Sequence, residues 1–107
     1  MAITDLDSKS FDTFVQSKGV VLVDFYADWC MPCRMMEPVL HELSSELDGS
    51  VRFSRLNVDY APDIAARFGV FSIPTLIVFR DGRPVERLVG ALPKRQLSQI
   101  LKVIAQS

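Results

Sequence analysis

The sequence predicts an α/β fold in which a mixed β-sheet of about five strands is flanked by four helices on both faces. Residues 20–26 form a nearly unbroken apolar run, which is typical of a central strand that is covered on both sides. Strand-like and helix-like segments alternate through the first two thirds of the chain. Asp81-Gly82 then marks a hairpin, so antiparallel strands are expected to complete the sheet.

The first elements follow from capping residues and apolar periodicity. A short strand is expected near Ile3. Asp7 or Ser8 can cap a first helix, and Gly19 lies just past its end. The apolar face of this helix consists of Phe11, Phe14 and Val15. The central strand over residues 20–26 follows directly.

The second helix is expected to begin near Cys33 and to end at Gly49. Its apolar residues recur at helical spacing and define a buried stripe. These residues are Met36, Val39, Leu40, Leu43 and Leu47. Because Pro38 falls inside the stripe, we expect a kink at that point rather than the end of the helix.

The second half of the chain predicts a strand over residues 51–58 and a short helix over residues 62–68, stopped by Gly69. A hairpin of strands over residues 75–79 and 85–89 comes next. A last helix follows the hairpin and has a regular apolar stripe. The stripe expected to be buried consists of Leu97, Ile100, Leu101 and Ile104.

Length and composition predict one soluble domain spanning residues 1–107, with 49% apolar and 23% charged residues. The net charge of −1 gives no reason to expect nucleic acid or a membrane as partner. The first residues lack the pattern of a secretory signal, so a cytoplasmic location is expected. No apolar stripe is left over that would demand a dimer, so we expect a monomer.

The only two cysteines and the only tryptophan of the chain lie within residues 29–33, between a strand and a helix. Thiols three residues apart at such a junction can close a disulfide, and a helix N-terminus stabilises a thiolate. This arrangement suits thiol–disulfide exchange. A buried inert pair and a zinc site are the alternatives. With one histidine and no second cysteine pair, the chain cannot assemble four zinc ligands by itself.

Several further segments accompany this motif at regular separations. They are Val23 to Ala27, Trp29 to Cys33, Pro38, Leu56 to Asp59, Phe68 to Val70, Ile73 to Thr75, Asp81-Gly82 and Val89 to Ala91. Together they closely resemble the thioredoxin family along almost the whole chain, whereas a C-x-x-C pair alone is also found in many metal sites. Two positions depart from the family pattern. Met31 stands where glycine is usual, and Arg55 where the basic residue is usually lysine.

The resemblance implies a thioredoxin fold and a protein-disulfide reductase that cycles between dithiol and disulfide without a metal or organic cofactor. It implies disulfide-containing proteins as targets and a thioredoxin reductase, linked either to NADPH or to ferredoxin, as electron source. A binding module that does not use its cysteines, and an oxidant or isomerase, are the alternative functions on the same fold.

Cys30 is the expected nucleophile, because a helix N-cap offers backbone N–H groups and a favourable dipole to its thiolate. Cys33, one turn deeper, would resolve the mixed disulfide, and Pro32 suits the first helical turn. Asp24 interrupts an apolar run, so burial should raise its pKa and make it a base near neutral pH. The resemblance places Asp24 beneath Cys33.

Arg55 is the candidate partner of Asp24, since strand alternation turns it inward with Val51 and Phe53. A structural ion pair between Asp24 and Arg55 is the alternative to the catalytic role. Because arginine holds its charge more firmly than lysine, Arg55 is expected to keep the Asp24 pKa lower than lysine would.

The resemblance also implies a cis peptide bond before Pro74, packed against the cysteines, with the Ile73 backbone open to an extended substrate segment. Gly90 would keep a side chain out of the substrate's way. Met31, beside an exposed Cys30, is expected to alter partner affinity more than reduction potential, and a tolerated surface substitution is the alternative. The expected docking surface consists of Trp29, Met31, Pro32, Val58, Ile73, Pro74, Val89, Gly90 and Ala91.

Overall fold

Strands and helices alternate along the chain in this computed structural model, which describes residues 3–107. The elements are β1 (Thr4–Leu6), α1 (Phe11–Val15), β2 (Val20–Tyr26), α2 (Met31–Glu46), β3 (Val51–Asn57), α3 (Pro62–Arg67), β4 (Thr75–Arg80), β5 (Arg83–Val89) and α4 (Lys94–Gln106). This order confirms the predicted α/β class and the short first strand.

The strands form one mixed sheet in the order β1-β3-β2-β4-β5. Strands β1, β3 and β2 are parallel, while β4 is antiparallel to β2 and β5 is antiparallel to β4. Strand β2 is therefore central. The register places Asp24 between Arg55 of β3 and Leu76 of β4.

Two apolar cores cover the two faces of β2, which explains why this strand is apolar on both sides. Val21, Val23 and Phe25 pack in a cluster with residues of α1 and α3. Val20 and Leu22 point to the opposite face, where α2 and α4 supply the core. Asp24 follows Leu22 by two residues, so its side chain lies on the same face as Val20 and Leu22, which is the α2 side of the sheet.

The prediction that Asp7 or Ser8 caps the first helix is wrong, because the N-cap of α1 is Ser10 and the helix begins at Phe11. Asp7 instead begins the turn that precedes the helix. Its Oδ1 accepts the backbone N–H groups of Lys9 and Ser10, at 3.0 and 2.8 Å. Its carbonyl oxygen accepts the Phe11 N–H at 3.1 Å. The turn that Asp7 stabilises therefore occupies the residues before the helix, and regular helix starts after it.

Helix α2 begins at Met31 rather than at Cys33, because Cys30 forms the N-cap and Pro32 occupies the first turn. It continues past Pro38 to Glu46. The predicted stripe is buried at Met36, Leu40, Leu43 and Leu47, and Val39 is partly buried.

In α4, Leu97 and Leu101 are buried as expected, but Ile100 and Ile104 are only partly covered, so the predicted stripe was too wide. The hairpin prediction is confirmed. Asp81 and Gly82 both have positive φ, of 49° and 86°, which suits the twist of a two-residue β-turn. Among residues 3–107, none of the helices has the length and apolar character that crossing a bilayer requires.

Candidate active site

Cys30 and Cys33 form a disulfide at the junction of β2 and α2, with their Cα atoms 5.2 Å apart. The loop after β2 contains a turn in which the Cys30 N–H donates a hydrogen bond to the Ala27 carbonyl oxygen at 3.2 Å. Cys30 then takes the extended backbone of an N-cap, and its Sγ accepts the Cys33 N–H at 3.2 Å. The Cys30 sulfur therefore lies at the N-terminus of a helix of 16 residues.

The electrostatic setting of this sulfur favours negative charge. The first turn of α2 contains no acidic residue, and Arg34 lies exposed just after Cys33. A helix N-terminus carries partial positive charge from its unpaired N–H groups. When the disulfide is reduced, these groups stabilise a Cys30 thiolate.

Both cysteines are buried in this disulfide form, Cys30 at 4% and Cys33 at 2% exposure. The expectation that Met31 lies beside an exposed cysteine is therefore wrong for this state. The neighbours are the exposed residues, since Trp29 and Met31 are 70% and 66% accessible. The cysteine sulfurs are therefore much less accessible than the apolar side chains of Trp29 and Met31 on either side of Cys30.

The cysteines pack with Ala27 in a small cluster that Tyr26, Val58 and Ile73 contact. Val58 comes from the end of β3, and its N–H donates to the Tyr26 carbonyl at 2.8 Å. Ile73 comes from the loop before β4. Two of the predicted docking residues, Val58 and Ile73, are thus brought to the cysteines from distant parts of the chain.

The peptide bond between Ile73 and Pro74 is cis, which confirms that expectation. The Pro74 carbonyl accepts the Gly90 N–H at 2.8 Å, which joins the start of β4 to the end of β5. Gly90 has φ of 91°, and an added Cβ would meet no atom within 4 Å. The space beside Gly90 is therefore open to a ligand, while its backbone conformation favours glycine.

Trp29 is held in place by Asp59, which was not among the predicted site residues. Its indole Nε1–H donates to Asp59 Oδ2 at 2.8 Å. The Asp59 N–H in turn donates to Asn57 Oδ1 at 2.9 Å, so the carboxylate follows a turn at the end of β3. The sequence offered one indication of this turn, since an Asn side chain commonly accepts the backbone N–H two residues later, here that of Asp59.

Asp24 is 2% exposed, and burial raises its pKa to about 7. The positive charge of Arg55 lowers the Asp24 pKa, and the negative charge of Glu37 raises it, by smaller amounts than burial does. Among the described residues, its Oδ1 has no hydrogen-bond partner. A desolvated carboxylate of this kind exchanges a proton near neutral pH.

Arg55 forms no ion pair with Asp24 among the described residues, so the alternative of a structural ion pair is not supported. Its Nε lies 3.0 Å from Asp5 Oδ1, and its Nη1 lies 3.4 Å from Glu37 Oε2. The guanidinium carbon also lies 4.1 Å from the centre of the Tyr26 ring. Sequence reasoning missed Asp5 and Glu37 because they lie on β1 and α2, far from Arg55 in the chain.

Among the other predicted docking residues, Pro32, Val89 and Ala91 are exposed, Gly90 is partly exposed and Pro74 is buried. Several large apolar side chains that were not predicted to be accessible are exposed as well. They are Met35, Tyr60 and Phe71. Met35 lies outside the predicted buried stripe of α2, whereas Met36 belongs to the stripe and is buried as expected.

Comparison with known proteins matches nearly all of the chain to one family. The family model described as Thioredoxin matches residues 2–103. A thioredoxin of Staphylococcus saprophyticus is 50% identical over 102 residues, covering 95% of this chain and 97% of that protein. Thioredoxins of Staphylococcus haemolyticus and Staphylococcus epidermidis are 52% and 50% identical over 101 residues, each covering 94% of this chain and 96% of the relative.

Proposed function

The chain belongs to the thioredoxin family, and from this premise we propose that residues 1–107 act as a single-domain protein-disulfide reductase. The observation that carries the proposal is the position of Cys30 Sγ, at the N-terminus of α2 and bonded to Cys33. The disulfide form described above is then the oxidised end point of the catalytic cycle.

The reaction consists of two exchanges in which thiolates attack disulfide sulfurs. The Cys30 thiolate attacks one sulfur of a target disulfide, forms a mixed disulfide and releases the other target sulfur as a thiolate. Cys33 then loses its proton and attacks Cys30 Sγ. The second target thiolate leaves, the target gains two electrons, and the Cys30–Cys33 disulfide forms.

Asp24 acts as the base that takes the Cys33 proton in the second exchange. Its support is the raised pKa of about 7, which lets the carboxyl change protonation state under neutral conditions. It lies on β2, which leads directly into the cysteine loop. Arg55 tunes this group from the neighbouring strand through its charge.

Target segments dock on the predicted apolar surface around Cys30. Trp29, Met31 and Val89 supply exposed apolar area, and an extended segment can bond to the backbone at Ile73. The open space next to Gly90 lets that segment pass without a clash. Recognition through apolar contacts and backbone bonds suits a broad range of disulfide-containing proteins.

The cycle requires two electrons to restore the dithiol. A thioredoxin reductase supplies them in this proposal, and the monomeric protein works in the cytoplasm. Supplying the oxidised protein with an NADPH-linked or a ferredoxin-linked reductase, and following thiol release, identifies the electron source. Failure with both systems would contradict this part of the proposal.

Reduction of insulin disulfides tests the activity. The wild type should precipitate the insulin B chain with dithiothreitol as reductant, whereas Cys30→Ser should reduce insulin no faster than dithiothreitol alone. Cys33→Ser should instead accumulate a mixed disulfide that mass spectrometry detects. Equal rates for wild type and Cys30→Ser would favour the alternative of a binding module.

A further inference from the structure

Two methionines lie exposed on α2, the helix that begins at the redox centre, and a third on the same helix is buried. Met31 and Met35 are 66% and 69% accessible, whereas Met36 is 2% accessible. All three belong to α2. Since residues four apart on a helix are neighbours, the thioethers of Met31 and Met35 lie on one face, one turn apart.

In the disulfide form neither cysteine presents a thiol, because Cys30 and Cys33 are bonded to each other and buried. The accessible sulfur atoms on α2 are then the thioethers of Met31 and Met35. Exposed methionine sulfur reacts with peroxides, and the sulfoxide is polar where the thioether was apolar. Burial protects Met36 from the same reaction.

We propose that Met31 and Met35 are peroxide-sensitive modification sites, and that their oxidation to sulfoxide weakens the docking of target proteins. The inference rests on the proposed function, since it concerns the docking surface around Cys30. In the reaction, the thioether sulfur attacks one oxygen of hydrogen peroxide. A sulfur–oxygen bond forms, the oxygen–oxygen bond breaks, sulfur loses two electrons, and water leaves.

Met31 directly follows Cys30 and is the first residue of α2, so a bound target segment must pass close to its side chain. Trp29 on the other side of Cys30 is also exposed. A sulfoxide at Met31, next to the apolar side chain of Trp29, would have to lose its hydration when a target docks. Oxidation should therefore raise KM for targets and leave the buried cysteine pair unchanged.

Peptide mapping tests the modification. The disulfide form is treated with a small excess of hydrogen peroxide, catalase removes the peroxide, and mass spectrometry follows the gain of one oxygen at each methionine. Met31 and Met35 should be oxidised well before Met36, which serves as the internal control. Oxidation of Met36 at the same rate would overturn the proposal.

The functional test compares insulin reduction before and after peroxide in the same protein preparation. We expect kcat/KM of the wild type to fall about tenfold through KM, which corresponds to about 1.4 kcal/mol of lost binding free energy. The double variant Met31→Leu/Met35→Leu keeps apolar side chains that peroxide does not oxidise. Its ratio of treated to untreated kcat/KM should stay near one, whatever its starting activity.

A peroxide-induced loss of equal size in the double variant would assign the loss to another residue, such as Trp29, and would refute the proposal. Unchanged wild-type activity after complete oxidation of Met31 and Met35 would refute it as well. If the untreated wild type reduces no insulin, the proposed function fails. The docking inference is then tested by the affinity of the Cys30–Cys33 disulfide form, which presents no thiol, for a disulfide peptide before and after peroxide. A lower affinity after peroxide would support the inference, and an unchanged affinity would refute it.

Discussion

Arg55 lies directly opposite Asp24 on the neighbouring parallel strand, yet the two side chains form no ion pair within the described residues. The Arg55 guanidinium is held by Asp5 of β1 and Glu37 of α2. Asp24 therefore feels the positive charge without a direct bond to it. This arrangement leaves burial as the dominant influence on the Asp24 pKa.

Asp24→Asn should stabilise the protein at neutral and alkaline pH. The Asp24 pKa is raised from 3.8 to about 7 in the folded state, so folding takes up a proton between these two values. Below that window both states are protonated and the variant should match the wild type. As pH rises through the window the wild type should lose up to about 4 kcal/mol relative to the variant, and the difference should stay constant above it.

Urea unfolding of the oxidised proteins between pH 4 and pH 8.5 measures this difference. The exposed Asp48 offers a matched control, since Asp48→Asn removes a carboxylate outside the core. A stability difference for Asp24→Asn that does not vary with pH would mean that Asp24 has no raised pKa in the folded state.

Glu37→Gln and Arg55→Gln should move the Asp24 pKa in opposite directions. Removal of the Glu37 charge should lower the Asp24 pKa, and removal of the Arg55 charge should raise it. Arg55→Lys is expected to raise it less than Arg55→Gln, because the charge is retained. Carbon NMR titration of the Asp24 carboxyl measures each shift.

The pH profile of the resolving step should follow these shifts if Asp24 is the base for Cys33. An Asp24 titration that is unchanged by Arg55→Lys would argue against a special coupling to arginine. If the Asp24 pKa shifts in these variants but the pH profile of the resolving step does not, Asp24 is not the base for Cys33.

Asp59→Ala should release the Trp29 indole from its 2.8 Å hydrogen bond and change the emission of the only tryptophan in the chain. A released ring must be ordered again when a target docks, which costs about 1 kcal/mol, so kcat/KM for insulin should fall roughly fivefold. Asp28→Ala removes a carboxylate next to Trp29 in sequence and serves as control. Equal emission spectra for wild type and Asp59→Ala would show that the bond does not position the ring.

Met31→Gly restores the residue usual in the family and should weaken target docking more than it changes the redox equilibrium. The Met31 side chain is 66% exposed and the cysteine sulfurs are buried, so its main loss is apolar contact with partners. We expect kcat/KM to fall severalfold and the reduction potential to move by less than about 30 mV, the equivalent of a tenfold change in equilibrium constant.

Equilibration with a glutathione buffer measures the potential, and the insulin assay measures kcat/KM. A large shift of the potential with unchanged kinetics would assign Met31 to the redox chemistry instead.

Local patterns were enough to predict much of the fold. The apolar run of β2, the Asp81-Gly82 turn and the helix start at Cys30 each depend on neighbours within a few residues. The stripe of α4 was predicted too wide at Ile100 and Ile104, because periodicity defines an apolar face without showing how much of it a neighbouring element covers.

The sequence by itself determined the redox pair, the burial of Asp24 and, through resemblance, the cis bond before Pro74. Only the tertiary structure decided that Trp29 donates a hydrogen bond to Asp59 and that Arg55 forms ion pairs with Asp5 and Glu37. The reason is physical. Burial and helix capping follow from the residues nearby in the chain, whereas the choice among several available charged partners depends on strand register and helix placement, which bring distant residues together.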